Sequence, residues 1–293
     1  SIDYFANGGN WGWPINVVDT NKTGSFFGLN FSIKNQMNEY MLIYSFISKG
    51  YKAGGINQHP SLNTDSRFFN PEYNLNFEVG GRFSLNKIKM NFAVFMMKRT
   101  DLQVQISSQQ DEDNPNSFTY YTSNASSGSN SGFEIESSIQ VTSELSINYS
   151  LGFLNTYVDE FSYPSGINEE DATLIYEFSG NRELAMAPKF NSSLNVYYAH
   201  NSGIFLNGNI SSKDKYYFSD SHDQMSNPYS LLNIDLGYRK NNLTISIWGK
   251  NITDERYSVR GFYFGLEPPN YEDKLYLSYG NPKEIGIKVS YQF

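Results

Sequence analysis

Alternation with a period of two residues dominates this chain. Phe27, Leu29, Phe31 and Ile33 are apolar, with Asn30 and Ser32 between them. The run Tyr40, Leu42, Tyr44, Phe46 follows. Then come Tyr73, Leu75, Phe77 and Val79, set against Asn74, Asn76, Glu78 and Arg82. The pattern continues through Ile88–Met96, then Phe133, Ile135, Ile139 and Val141 opposite Glu134, Glu136, Ser138 and Gln140. Six more runs begin at Leu145, Phe190, Ile204, Leu232, Leu243 and Ile285. Together they predict eleven β-strands of roughly ten residues, each with one apolar and one polar face.

The connections alternate too. Short polar turns are expected near 34–38, 84–87, 142–144, 199–203 and 240–242, and long segments at 50–72, 107–131, 158–188, 212–228 and 251–281. Loops of that length are uncommon in compact domains unless they are functional. Short turns at one end and long loops at the other, joining antiparallel strands of about ten residues, predict a transmembrane antiparallel β-barrel. Hydrocarbon offers backbone groups no partner, so only a closed ladder is stable in it. A soluble β-sandwich also alternates, but its strands are shorter and its turns recur every ~8–12 residues.

Composition sharpens this. Hydrophobic residues make up 39% of the 293, yet aromatics reach 16%, with 23 Tyr and 22 Phe. Disordered chains are low in both. The absence of cysteine excludes disulfides, thiolate metal sites and a cysteine nucleophile. A net charge of −8 gives no footprint for nucleic acid. No apolar run approaches the length of a transmembrane helix. The N-terminus lacks the pattern of a signal peptide, so the chain is expected to start in mature sequence or partway through a longer protein.

Several blocks resemble TonB-dependent outer-membrane receptors. Lys49-Gly-Tyr-Lys-Ala-Gly-Gly-Ile-Asn57 and Phe69-Asn-Pro-Glu-Tyr-Asn-Leu-Asn-Phe-Glu-Val-Gly-Gly81 resemble their mid-barrel block, and Asp101-Leu-Gln-Val-Gln105 the next hairpin. Leu184-Ala-Met-Ala-Pro-Lys189, Asn251-Ile-Thr-Asp-Glu-Arg-Tyr257, Gly280-Asn-Pro-Lys-Glu-Ile-Gly286 and the closing Val289-Ser-Tyr-Gln-Phe293 are similar to later blocks, in the same order. The resemblance implies a 22-stranded barrel in a Gram-negative outer membrane, plugged by an N-terminal domain and energised by TonB. This chain has about half those strands and no plug. Residues 1–23 are therefore expected to end an extracellular loop, and 24–293 to form the C-terminal half of the barrel. Outer-membrane lipid and lipopolysaccharide would surround it. A ferric siderophore or other iron chelate is the expected cargo, with carbohydrate or another nutrient, or a plug-less surface-binding protein or passive pore, as alternatives.

Candidate chemistry is sparse. His59, His200 and His222 do not form a nucleophile–base constellation with any particular serine, so no enzyme and no cofactor is expected. The acidic runs 111–113 and 169–171 lack calcium-loop spacing, and no metal site is expected. The five long segments carry −12 between them, leaving +4 for strands and turns. Alternation places Glu78, Arg82, Glu134 and Glu136 on the lumen side, where they are expected to form ion pairs between wall and plug or to draw an anionic ligand inward. Among loop aromatics, Tyr120, Tyr121, Tyr263 and Tyr271 are candidate ligand contacts. Arg256 and Arg260 would meet an anionic chelate or pair with Asp254 and Glu255.

Overall fold

A computed structural model describes residues 2–6, 18–58, 62, 64–109, 118–167, 174–264, 267–269 and 274–293. It contains an antiparallel sheet of eleven strands: β1 (Leu29–Asn38), β2 (Met41–Lys52), β3 (Glu72–Leu85), β4 (Ile88–Gln109), β5 (Phe118–Gln140), β6 (Leu145–Val158), β7 (Phe190–Ala199), β8 (Ile204–Lys213), β9 (Tyr229–Lys240), β10 (Leu243–Lys250) and β11 (Glu284–Tyr291). Every strand pairs with its chain neighbours, and β1 and β11 stand at opposite edges. The sheet is a meander, the local topology of an up-and-down barrel.

Five tight turns close one end of the meander. Asn86 (φ 43°), Asn241 (φ 52°) and Gly203 (φ 101°) sit in three of them with left-handed backbone. The turns at Asn86 and Asn241 are two-residue hairpin connections, which need that conformation to match strand twist, whereas Gly203 ends a four-residue one; Asn and Gly tolerate it best.

Register shows how the faces separate. Ile33, Ser45, Val79, Val94, Phe133, Phe153 and Phe190 lie opposite one another across seven strands, forming one row of the apolar face. Glu78, Arg82, Glu134 and Glu136 share the other face: Arg82 pairs with Asn91, which pairs with Glu136, and Ala93 pairs with Glu134. The apolar face is open to solvent, with Met96 63% and Ile287 70% exposed. An apolar surface of this extent needs a hydrocarbon neighbour. Along β3 it runs from Leu75 to Leu85, and at ~3.4 Å per residue with a ~45° tilt it spans about 24 Å, the height of a lipid-facing band.

Three expectations need correction. The first turn falls at residues 39–40, since 34–38, expected as a polar turn, is paired within β1. The run Tyr40, Leu42, Tyr44, Phe46 is not on the apolar face: Leu42 pairs with Arg82 and Phe46 with Glu78. Met41, Ile43 and Ile47 take the apolar side instead, because this stretch is hydrophobic at both parities. The long segments are also more ordered than loops. β4 and β5 stay paired out to Gln109 and Phe118. Phe161–Ile167 pairs with Leu174–Ser179, and Ser258–Phe264 with Lys274–Tyr279. Segment 50–72 holds a two-residue pair, Gly55–Ile56 with Phe68–Phe69, and a single helical turn, Thr64–Arg67. Ile2–Ala6 pairs with Val18–Lys22, within the stretch expected to be loop.

Candidate functional site in the loop cluster

Three of the blocks that carry the family resemblance, 49–57, 69–81 and 101–105, meet in a hydrogen-bonded knot just above the sheet. Glu72 is buried and takes Arg99 in a two-pronged ion pair at 2.6 Å, and its second oxygen accepts the Gln103 backbone N–H at 2.9 Å. The Gln103 amide donates to the carbonyls of Ala53 and Asn70. Asn124 accepts the Asn70 N–H at 2.7 Å and donates to the Asp101 carbonyl at 2.7 Å. Asn57, also buried, donates to the Ser66 and Thr122 carbonyls and accepts the Thr122 N–H. A Cβ at Gly54 would fall 2.5 Å from the Phe69 carbonyl oxygen, so the glycine is what lets the two segments meet.

Above this knot the loops have a hydrophobic core of their own. Leu102, Val104, Ile106, Tyr121, Ala125, Val158, Phe161, Tyr163 and Leu62 are buried together, with Leu184 packed against them. Burial raises the phenols of Tyr121 and Tyr163, and a carboxylate at Glu177 raises Tyr163 further. Tyr121, expected among ligand contacts, is therefore a core residue at 3% exposure, whereas neighbouring Tyr120 is 62% exposed and accessible. Strand alternation puts the two on opposite sides of the same ribbon.

Arg182 ties two of the long segments together, 158–188 and 212–228, and no pattern in the sequence marks it out. Its side chain is 8% exposed and pairs with Asp223 at 3.1 Å. It also donates to the carbonyls of Ser219 and His222 and stacks over the Tyr217 ring, 4.1 Å from its centroid. The Leu184–Lys189 block supports this joint: Leu184 N–H bonds the Thr156 hydroxyl, and Met186 N–H bonds the Tyr217 carbonyl. His222 lies edge-on to Tyr263 at 5.2 Å. Burial, then the Arg182 charge, lowers its pKa.

The last long segment splits its candidates between two faces. Tyr263 pairs with Leu275, and Leu275, Leu277 and Tyr279 alternate onto one side of that ribbon. Arg256 stacks on Tyr279 at 4.2 Å and belongs with this side. Arg260 pairs with Ser278 and lies over Phe262 at 5.3 Å, on the opposite side. Neither arginine is in an ion pair with Asp254 or Glu255 among the described residues. Asp254 accepts the Lys283 N–H, and Glu255 N–H donates to Asn251. Tyr271 lies outside the described residues, as do His59 and both acidic runs. The segment starts from a compact cap: Asn251, buried with φ 45°, donates to the carbonyls of Glu255 and Asn281.

On the polar face, Glu78, Arg82, Glu134 and Glu136 border a cleft of about 500 Å³ with Lys34 and Tyr44. Tyr44 donates to Glu78 at 2.8 Å, and Arg82 donates to Asn91 at 3.2 Å. Among the described residues none of the four charges forms an ion pair with another.

This sheet and its blocks can be placed against known proteins. The family model described as "TonB dependent receptor-like, beta-barrel" matches residues 3–252. The chain belongs to the TonB-dependent receptor β-barrel family. It is 22% identical to the pesticin receptor of Yersinia pestis over 282 residues, covering 90% of this chain and 39% of that protein. It superimposes on the ferric yersiniabactin uptake receptor FyuA of Yersinia pestis with a TM-score of 0.68 at 19% identity, over 90% of this chain and 37% of that one. The ferric-catecholate import receptor Fiu of E. coli gives 0.65 at 16% identity, over 99% of this chain and 40% of that one. At such identities the likeness establishes the fold. The chain spans about two-fifths of these receptors.

Proposed function

We propose that this chain is the C-terminal part of an outer-membrane TonB-dependent transporter that takes up a ferric siderophore or other iron chelate. Its strands serve as the barrel wall, and its loop cluster as part of the extracellular binding surface. The observation that carries the cargo reading is Arg256, exposed and stacked on Tyr279 with no carboxylate partner among the described residues. A stacked guanidinium keeps its planar fork free for chelate oxygens, and the Tyr263 ring, further along the same side of the ribbon, gives the organic scaffold a flat surface. Relatives named for iron-chelate uptake support the same cargo. In this reading the polar face meets a plug domain, whose side chains would complete ion pairs with Glu78, Arg82, Glu134 and Glu136. TonB would act through that plug.

Replacing Arg256 and Arg260 together by Ala in the full-length protein tests the cargo. Chelate uptake at limiting concentration should fall by about tenfold, the order expected for losing one charge-assisted hydrogen bond, with the amount of assembled barrel unchanged. Because the arginines face different ways, Arg256→Ala alone should carry most of the effect. A requirement for the protein in growth on a glycan, with none under iron starvation, would replace the iron reading by carbohydrate uptake.

A further inference from the structure

At the loop-side rim of the apolar face, β2 and β4 each contribute a lysine to the same row. Leu29, Lys49, Leu75, Lys98 and Ser129 lie opposite one another across β1 to β5. With β3 between them, the two lysines stand about 10 Å apart at Cα, two inter-strand spacings. Both are exposed, and neither enters an ion pair among the described residues. The row on the turn side is hydrocarbon-like: Ile47, Phe77 and Met96, all exposed. The row on the loop side is Tyr51, Tyr73 and Thr100, with Lys49 Nζ 5.6 Å from the Tyr73 ring centroid and Phe26 stacked on Tyr51.

The change from apolar to amphipathic side chains therefore falls at the lysines, the level of lipid headgroups in a barrel wall. A carboxylate further along that edge, Asp159, is engaged by the Ser127 hydroxyl. The long loops above are acidic, so these lysines are not part of a generally basic surface. Two cations at headgroup height without an anion of their own are complementary to phosphate.

We propose that Lys49 and Lys98 clasp a phosphate-bearing headgroup of outer-leaflet lipopolysaccharide, with Tyr51 and Tyr73 lying along its sugars. The inference rests on the outer-membrane reading above. Its test uses the full-length receptor purified in neutral detergent, first shown to fractionate with the outer membrane and to shift on heating. Native mass spectrometry then follows retention of diphosphorylated lipid A, dephosphorylated lipid A and phosphatidylglycerol. The wild type should retain diphosphorylated lipid A. The K49Q/K98Q variant should lose about 30-fold, as expected for two charges at a membrane surface, and K49R/K98R should restore binding. Dephosphorylated lipid A should bind weakly and equally to wild type and K49Q/K98Q. Unchanged retention by K49Q/K98Q would overturn the clasp, and equally lysine-dependent capture of phosphatidylglycerol would overturn the choice of lipid. Failure to reach the outer membrane would instead refute the underlying reading.

Discussion

Individual residues above the rim act through buried polar contacts, and Glu72 is the most exposed to test. Its carboxylate joins β3 to Arg99 and Gln103 on β4, where three family blocks meet. Both charges are largely withdrawn from water, Arg99 at 22% and Glu72 at 6% side-chain exposure. Removing one member leaves the other desolvated and unpaired, which costs more than the intact pair contributes. Glu72→Ala in the full-length protein should therefore destabilise the barrel by about 3 kcal/mol. The loss should appear as a lower temperature for the heat-induced gel shift. Glu72→Ala together with Arg99→Met, which removes both charges, should recover much of it. A wild-type transition temperature in the single variant would show that water reaches the pair.

Strands were legible where one parity is apolar and the other polar, because a barrel wall separates two solvents. Val79, Val94, Phe133 and Phe153 declare their face this way, and so do Glu78, Arg82, Glu134 and Glu136. Met41–Ile47 is apolar at both parities, so its orientation depends on Tyr44 reaching Glu78 across the sheet. The loop core was readable in part: Leu102, Val104 and Ile106 continue the alternation of β4 past Asp101, whose left-handed φ of 52° interrupts it. Tyr121 and Arg182 were not readable, since their burial depends on contacts with other loops. Tyr121 meets Ser66 from a distant segment, and Arg182 bonds carbonyls of residues 219 and 222. Element lengths also fix an orientation to test. The tight turn bearing Asn201 should face the periplasm, and the exposed Glu267 in the last long segment should face outside. In intact cells producing the full-length protein, a membrane-impermeant thiol reagent should modify Glu267→Cys and leave Asn201→Cys unmodified until the cells are lysed. The reverse pattern would invert the topology.

The whole sheet is a wall with two open edges. All of β1 is exposed, β11 carries Ile285, Ile287 and Val289 at 65–70% exposure, and the two strands do not pair with each other. Each edge presents a row of backbone N–H and C=O groups beside an apolar face, the combination that drives edge-to-edge association. Neither lipid nor detergent supplies hydrogen bonds to such an edge. An all-antiparallel closure of the eleven strands would require β1 and β11 to run in opposite directions. In an antiparallel meander the first and eleventh strands run in the same direction, so closure would form a parallel seam. An even number of strands avoids that seam, as in bacterial single-chain barrels. Residues 1–293 produced alone should therefore aggregate, or remain open to protease, when refolded into detergent. Their band should not shift on boiling as that of a closed barrel does. Supplying the remaining strands of the full-length protein as a separate chain should restore the shift. A compact, protease-resistant monomer of residues 1–293 would show that the two edges do meet, and the half-barrel reading would fall.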